Sequence, residues 1–376
     1  MKGHIQQRGK NSFRLKFDAG RDGETGKRNI QYETFRGTKR QAQTRLAELI
    51  AAVAQEKYVE PSRVTVAEYV RKRVDAWEAA GTITARTAQR YRQLVENQIV
   101  PHIGAKLLQK LRTPDVEHWH ATLRTSGRVR GKGDLSARTI GHAHRILGHA
   151  MRDALRHELV SRNVVAAEAA PKVADDEMAI VTDVPAFVES IRGHRMFAFG
   201  MVGLFTGMRL GEVLALRWGR VDLDRKVIQV REALEHTKQH GIRFKAPKSK
   251  AGKRDISLPD ALVDVLRDLR KSRLEIQMAL GLGKLPDDAL LFAGVDGEPR
   301  APSSVSRSWS EATGVGYHNL RHTHASQLID ADVDIVTISK RLGHATPAIT
   351  LAIYAHMFKK TDAKAAAAIN RALGAP

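Results

Sequence analysis

The alternation of apolar and polar residues near the start of the chain predicts a small unit of mixed structure. Residues 12–17 and 29–35 alternate as strands do, and residues 22–26 between them read D-G-E-T-G, which is typical of a turn. Thr38 has the side chain and the position of an N-cap for a helix that runs to residue 54. Pro61, followed by a serine, marks a linker that ends this α+β unit.

Residues 63–165 show the periodicity of amphipathic helices. Four helices are expected: one ending near Trp77, one over 84–100 that stops before Pro101, one beginning at Pro114, and one over 136–159.

Residues 125–134 interrupt this pattern with glycine and arginine and predict a loop. Arg128, Arg130 and Lys132 give the loop positive charge, but it carries no aromatic residue on which a base could stack. We therefore expect it to contact phosphates only, if it binds nucleic acid. A solvated connection between two helices is the alternative interpretation.

The second half of the chain mixes helices with short strands. After a linker over 168–180, the pattern predicts a helix that Thr182 caps and an apolar, buried helix over 196–205. Arg209 then stands at the start of a further helix. The remaining elements are expected to be strands over 226–231 and 242–258, the latter with a hairpin around 249–252, a long helix over 259–280, and an alanine-rich helix over 363–373.

Between these last two helices, residues 317–354 carry the densest set of chemically capable side chains. A helix here would place His318 and Arg321 on one face, because they are three residues apart. A second short helix is expected over 334–342, ended by Gly343 in a left-handed turn that leaves His344 just beyond it. A third helix, beginning with a proline at position 347, carries Tyr354.

Composition narrows the class of partner. The chain has 376 residues and a formal net charge of +21, from 62 Lys and Arg against 41 Asp and Glu. Such an excess favours a polyanion, and nucleic acid is the first candidate, because no long apolar run indicates a membrane. The chain has no cysteine and no apolar signal-peptide core, so we expect a cytoplasmic protein without disulfides or thiolate metal sites. Neither an H-E-x-x-H motif nor a phosphate-binding G-x-x-x-x-G-K-[ST] motif occurs.

The ordered set of motifs resembles the tyrosine recombinases of the phage integrase family. The C-terminal signature of that family is H-x-x-R, then L-G-H, then a tyrosine ten residues later, and an upstream T-G-x-R-x-x-E and a hairpin lysine complete it. The matching residues are His318 and Arg321, His344, Tyr354, Arg209 and Glu212 in T-G-M-R-L-G-E, and Lys248 in A-P-K-S-K.

The resemblance implies a multidomain, mainly α protein with small β elements. Residues 1–60 would form an arm-type DNA-binding domain of α+β structure, residues 61–167 a helical, SAM-like core-binding domain, and residues 168–376 a mixed α/β catalytic domain. It further implies an enzyme that cuts and rejoins double-stranded DNA attachment sites through a 3′-phosphotyrosyl intermediate and a Holliday junction. Family members act as homotetramers on DNA and need neither ATP nor metal. Whether a host DNA-bending protein or a directionality factor takes part stays open.

The chemistry of phosphodiester cleavage distributes roles among these residues. Tyr354 would be the nucleophile, and the guanidiniums of Arg209 and Arg321 would stabilise the charge on the non-bridging oxygens. Lys248 would protonate the leaving 5′ oxygen, and His318 would transfer a proton near neutral pH. The two remaining residues have supporting parts: His344 would hydrogen-bond a phosphate oxygen, and Glu212 would orient Arg209.

Several alternatives stay open. Lys250 or Lys253 could be the acid in place of Lys248, whereas Tyr317 is interpreted as a packing residue rather than a second nucleophile. His322 and His324, in the same helix as Arg321, are interpreted as structural. At the level of function, a chromosome-dimer resolvase or a catalytically inactive DNA-binding protein would carry related motifs. The segment before residue 61 favours an integrase of a temperate phage or related element.

Overall fold

The computed structural model describes residues 3–21, 26–55, 58–128, 133–173, 178–247, 249–294, 296–357 and 362–374. The chain divides into two compact units, residues 1–174 and 175–376. In the first unit the elements are β1 (His4–Gly9), β2 (Ser12–Arg21), β3 (Arg28–Arg36), α1 (Lys39–Ala54), α2 (Val66–Ala79), α3 (Ala85–Leu94), α4 (Val100–Ile103), α5 (Thr113–Ser126) and α6 (Ala137–Arg156).

The first three strands form an antiparallel sheet in the order β1-β2-β3, with α1 packed on one face. Alternation in β2 sends Phe13, Leu15 and Phe17 into a small core with the apolar face of α1. Thr38 caps α1 as the sequence predicts: its side chain accepts a hydrogen bond from the backbone N–H of Gln41. Strand β1 was not predicted, because its residues lack apolar alternation.

The other face of this sheet is polar and open. Cross-strand register places Arg14 beside Thr34 and Lys16 beside Tyr32 on that face. The ring of Tyr32 is 50% exposed, and the Cζ atom of Arg14 lies 4.2 Å from its centroid. The sheet therefore buries one side on α1 and presents cations with an aromatic ring on the other.

Helices α2 to α6 enclose a separate apolar core that contains Trp77, Trp119 and Leu147. The second predicted helix differs from expectation at its end. Instead of stopping before Pro101, the chain passes from α3 through a π-helical turn at Val95–Ile99 into α4. Pro101 is tolerated there because it lies in the first turn of α4, where a backbone N–H is not required.

A buried carboxylate links two helices of this core. Asp153 on α6 is fully buried and accepts hydrogen bonds from Arg73 Nε and Trp77 Nε1 on α2, each at 2.8 Å. Arg156 also contacts it. Burial alone would raise the pKa of Asp153, but these donors hold it below its usual value.

In the second unit the elements are α7 (Val184–Ser190), α8 (Phe197–Thr206), α9 (Leu210–Leu214), β4 (Val221–Asp222), β5 (Val227–Val230), β6 (Ala233–Thr237), β7 (Gly241–Lys245), β8 (Arg254–Ser257), α10 (Asp260–Ala279), α11 (Pro302–Thr313), α12 (Tyr317–Asp330), α13 (Ile335–Leu342), α14 (Pro347–Tyr354) and α15 (Asp362–Leu373). A large core centred on α8 holds the helices and strands together.

Two predictions for this unit are wrong. The strands over 242–258 are not partners in a hairpin: β7 pairs with β6, whereas β8 pairs with β5 in the sheet β4-β5-β8. A 3-10 turn at Lys250–Gly252 separates the two sheets. The N-cap of α7 is Asp183 rather than Thr182, because the Asp183 carboxylate accepts from the N–H of Ala186. Helix α11 was not predicted.

Among the described residues, no helix is long and apolar enough to cross a membrane, and no group of three or more His, Cys, Asp or Glu side chains could hold a metal ion.

The buried carboxylate gives a test of the first unit's stability. Asp153→Asn should lower the free energy of unfolding by about 2 kcal/mol, because Arg73 would lose its charged partner. Asp75→Asn is the matched control: its ion pair with Arg92 is solvent-exposed, so the loss should be about 0.5 kcal/mol. Urea denaturation of the full chain followed by Trp fluorescence measures both.

The loss of stability in Asp153→Asn should also depend on pH. Because the pKa of Asp153 is depressed in the folded state, the wild-type advantage is present above the unfolded pKa and fades as the pH falls through the folded pKa. Equal losses for the two variants at neutral pH would contradict the buried ion pair.

Candidate active site

Arg321 lies at the centre of the site, where two helices end. Its side chain is buried, and Nη1 donates to the carbonyl of Gly207 at the end of α8 at 2.6 Å. Nη2 donates to the carbonyl of Leu342 at the end of α13 at 2.7 Å and to Nε2 of His344 at 2.9 Å. Helix C-termini carry partial negative charge, so they compensate part of the buried cation.

Arg209 and Arg254 add further positive charge around Arg321, and Glu212 opposes them in part. Burial, and then the charge of Arg209, lower the pKa of Arg321 to about 9, which leaves it protonated at neutral pH. The site therefore holds a cation whose charge is incompletely neutralised, and an anion approaching it would be stabilised.

Arg209 is oriented by a buried carboxylate. As the N-cap of α9, it donates from its backbone N–H to Glu212 at 3.0 Å and from Nη1 to the same carboxylate at 2.9 Å. Its Nη2 donates to the carbonyl of Gly343 at 3.3 Å. The side chain of Glu212 is 3% exposed whereas that of Arg209 is 42% exposed. Glu212 thus fixes a guanidinium that still opens to solvent, as the sequence predicts for this pair.

The other side of Glu212 contacts Arg254 on β8, which sequence reasoning missed. Arg254 Nη2 donates to Glu212 at 3.0 Å, and its Nε donates to the carbonyl of Arg341 at 2.6 Å. Burial alone would raise the pKa of Glu212, but Arg254 and then Arg209 lower it overall. A signal existed in the sequence: the alternation of β8 puts Arg254 on the same buried face as Ile256, and a charge there needs a partner.

Gly343 and His344 follow α13 as predicted. Gly343 has φ of +68°, a left-handed conformation that ends the helix. Nδ1 of His344 lies 2.7 Å from Oγ1 of Thr350, and its Nε2 faces Arg321, so both ring nitrogens are engaged. Burial, and then Arg321, lower the pKa of His344 to about 4. The ring is therefore neutral at pH 7.

Tyr354 closes the site from α14. It is 1% exposed, and its hydroxyl lies 2.9 Å from Nδ1 of His322. Burial raises the pKa of Tyr354, and Arg321 opposes that shift. His318 packs edge-on against His322 with 4.6 Å between the ring centroids. The structure thus brings His318, Arg321, His344 and Tyr354 together, with Arg209 and Glu212 alongside.

The interpretation of the neighbouring residues is confirmed for Tyr317 and His324, whereas that of His322 stays a prediction. Tyr317 is buried in an aromatic cluster with Phe199 and Trp309 and cannot act as a nucleophile from there. His324 is buried and bonded to the carbonyl of Leu204 and to Arg341, as a structural residue would be. His322 contacts the Tyr354 hydroxyl, a contact that the sequence did not indicate.

The predicted lysine and the basic loop are less fully described. Lys248, Arg130 and Lys132 lie outside the described residues. Arg128 is exposed, and its Nε donates to the carbonyl of Asp134 at 3.0 Å within its own loop. Lys250 and Lys253 are exposed on the 3-10 turn, and a Cβ added at Gly343 would lie 3.1 Å from the carbonyl oxygen of Ala251 in that turn. The segment that follows Lys248 therefore contacts the site.

Comparison with known proteins identifies the family. The model of the phage integrase family matches residues 181–361, the part of the chain that contains this site. A XerC-like tyrosine recombinase of Caldanaerobacter subterraneus subsp. tengcongensis is 23% identical, and the match covers 96% of each chain. Residues 181–361 therefore belong to the phage integrase family of tyrosine recombinases. The protein is a tyrosine-type site-specific recombinase that acts on DNA.

Two further similarities extend over most of this recombinase. An integrase of Streptomyces ambofaciens is 27% identical over 88% of this chain and 86% of its own length. The structure of the Tn1549 transposon integrase in complex with a circular intermediate DNA superposes with a TM-score of 0.65 at 18% identity, over 82% of this chain and 99% of that one. The fold is therefore that of the tyrosine recombinases.

The left-handed glycine beside Arg254 gives a stability test in this recombinase. Gly343→Ala should lower the free energy of unfolding by about 1–2 kcal/mol for the backbone conformation alone. It should lose about 2 kcal/mol more from overpacking, because the new Cβ would lie 2.8 Å from Nη1 of Arg254. Chemical denaturation of the full chain measures the change.

Gly314→Ala is the matched control, since Gly314 has the same φ of +68° at the end of α11 with nothing within 4 Å of the added Cβ. It should show the backbone cost only. If the two glycines cost the same, the close packing of the turn, Arg254 and the end of α13 is not what the structure indicates.

Proposed function

We propose that this protein is the integrase of a temperate phage or a related integrative element, which inserts its element at a DNA attachment site and can excise it. The observation that carries the chemistry is the Tyr354 hydroxyl held beside the buried Arg321. Two of the relatives described above are named integrases, one from a bacterium and one from a transposon. The net charge of +21 suits a protein that works on DNA.

In this proposal the phosphate of the scissile bond occupies the open side of the arginine cluster. Arg209 would meet it first, because its guanidinium is partly exposed while Glu212 fixes its direction. Arg321 would stabilise the same phosphate from the buried side, through the positive charge that the helix ends leave uncompensated. His344 would donate to a phosphate oxygen after giving up one of its present contacts.

The reaction would then proceed without metal or nucleotide. The Tyr354 oxygen attacks phosphorus and loses its proton, the bond to the 5′ oxygen breaks, and the leaving oxygen takes a proton from Lys248. His318, which opens to solvent on α12, would transfer protons at the phosphate. The phosphotyrosyl bond conserves the energy of the original linkage, so a free 5′ hydroxyl can reverse the reaction on a new partner strand.

The partners follow from the same proposal. The protein would assemble as a homotetramer on two double-stranded sites and pass through a Holliday junction, as the family resemblance implies. The open face of the N-terminal sheet, with Arg14, Lys16 and Tyr32, would bind arm-type DNA sites. Arg128, Arg130 and Lys132 would add phosphate contacts around the core site.

A chromosome-dimer resolvase is the second candidate, because the XerC-like relative matches 96% of the chain. Recombination between two unlike sites, found by mapping a repeated segment in the DNA that flanks the gene, would favour integration. Activity only between two copies of one site would favour resolution.

The nucleophile has a direct test with a matched control. Tyr354→Phe should bind core-site DNA with the wild-type Kd and form no covalent adduct, because only the hydroxyl is removed. Tyr317→Phe removes another buried hydroxyl, from the same catalytic unit, and should leave adduct formation within about threefold of wild type. A nicked suicide substrate and an SDS gel measure the adduct. An SDS-resistant adduct in Tyr354→Phe would refute the assignment.

The arm-binding role can be tested without deleting the domain. Arg14→Ala combined with Tyr32→Ala should abolish integration at a full attachment site while leaving cleavage of an isolated core site intact, because only the open sheet face changes. Lys39→Ala on α1 removes the same charge away from that face and is the control. Gel-shift and integration assays measure the difference. Unchanged integration by the double variant would contradict arm binding by this face.

A further inference from the structure

His322 lies just outside the H-x-x-R motif, which ends at Arg321. It follows Arg321 directly on α12, yet its ring points to α14, where Nδ1 lies 2.9 Å from the Tyr354 hydroxyl. The two rings meet at 62° with 5.8 Å between their centroids. Because Tyr354 is 1% exposed, water has little access to this hydroxyl. His322 is thus placed to receive the phenolic proton.

The protonation states fit an acceptor. Burial, and then His318 and Arg321, lower the pKa of His322 to about 4, so its imidazole is neutral at pH 7. Burial raises the pKa of Tyr354, so the phenol keeps its proton. The hydrogen bond then runs from the phenolic O–H to Nδ1, with the imidazole proton on Nε2.

These shifts also explain why the proton stays on the phenol before DNA binds. Transfer from the phenol to the imidazole is uphill in the free protein, since the phenol has the higher pKa and Arg321 disfavours a second cation nearby. A phosphate beside Arg321 would add negative charge and raise the affinity of His322 for a proton. The difference between the pKa values of the phenol and the imidazole would then become smaller. Deprotonation would therefore be coupled to substrate binding.

We propose that His322 is the general base that accepts the proton of Tyr354 during cleavage, an assignment that rests on the recombinase chemistry proposed above. As the bond between the tyrosyl oxygen and phosphorus forms, the phenolic proton moves to Nδ1 of His322. The bond from phosphorus to the 5′ oxygen breaks, and that oxygen takes its proton from the separate acid. In the rejoining step the imidazolium returns its proton to the departing tyrosyl oxygen.

Two other assignments lead to different results. If the hydrogen bond only restrains Tyr354 in its buried position, removing it should speed cleavage. If His318 is the base, the loss of rate should appear in the His318 variant and not in the His322 variant. The structure gives the hydrogen bond to the phenol to His322, and His318 packs against the His322 ring. The three possibilities are therefore separated by whether cleavage becomes slower or faster, and by whether the change follows substitution of His322 or of His318.

The experiment uses the full-length protein on a nicked suicide substrate under single-turnover conditions. His322→Asn keeps an acceptor oxygen near the position of Nδ1 but cannot take up a proton, and His318→Asn is the parallel variant. We expect His322→Asn to bind DNA with the wild-type Kd and to cleave about 100-fold or more slowly at pH 7. A fluorinated tyrosine at position 354, which ionises more readily, should restore most of the rate in His322→Asn.

A substrate with sulfur at the 5′ bridging position adds a second readout. Thiolate leaves without a proton, so this substrate should rescue a variant that lacks the acid, such as Lys248→Ala, and should not rescue His322→Asn. Cleavage by His322→Asn within about threefold of wild type, or faster than wild type, would overturn the proposal. Rescue of His322→Asn by the sulfur substrate would also overturn it, because the residue would then act on the leaving group.

A measurement on the wild-type side chain guards against a variant that fails to fold. With His322 present, the acid limb of the pH–rate profile should not move when the fluorinated tyrosine replaces Tyr354, because imidazole protonation sets that limb. A limb that shifts with the phenol pKa would refute the base role. Absence of any covalent adduct from the unmodified wild type on its mapped site would instead refute the recombinase chemistry itself.

Discussion

The structure of the catalytic unit depends on a buried guanidinium placed between the ends of two helices. Arg321 bonds the carbonyls of Gly207 and Leu342, which are orphan acceptors at the ends of α8 and α13. Removing this side chain would leave those carbonyls buried without donors. The same contacts hold the cation in a fixed direction, so the stability of the unit and the electrostatics of its active site rest on one interaction.

Further cations gather around the same helix ends. Arg341 donates to the carbonyl of Phe205 near the end of α8, and Arg254 donates to the carbonyl of Arg341 near the end of α13. Glu212 is the carboxylate that joins this group, through Arg209 and Arg254. Backbone dipoles can hold guanidiniums in place without cancelling their charge. The result is a cluster of guanidiniums that are already held in place and that favour an anion such as a phosphate.

Much of this site could be predicted from the sequence, because its signals are local. The i, i+3 spacing of His318 and Arg321, the helix stop at Gly343 and the proline before Tyr354 each depend on a few neighbouring residues, and the structure has each in its predicted place. The N-cap of α1 at Thr38 is local in the same way. Such features are encoded by backbone preferences and survive folding unchanged.

The errors have a different physical origin. Strands β7 and β8 read as one hairpin because they are adjacent in sequence, but strand partners are chosen by burial of Ile228 and Ile256 across β5 and β8, which is a long-range contact. The contact between His322 and Tyr354 joins residues 32 apart in sequence, and no periodic pattern of apolar residues predicts it. The role of His322 depends on which side of α12 faces α14, and only the packed structure shows that.

The hydrogen bond between His344 and Thr350 has a mechanical consequence. Thr350 lies one turn before Tyr354 on α14, and its hydroxyl is 2.7 Å from Nδ1 of His344. The helix that carries the proposed nucleophile is therefore bonded to the residue that accepts a hydrogen bond from Arg321. If α14 withdraws from one protomer, it must break this bond and release His344 at the same moment. Under the proposed roles, the site would lose its nucleophile and one phosphate ligand in a single event. A site that keeps only one of the two would then be disfavoured.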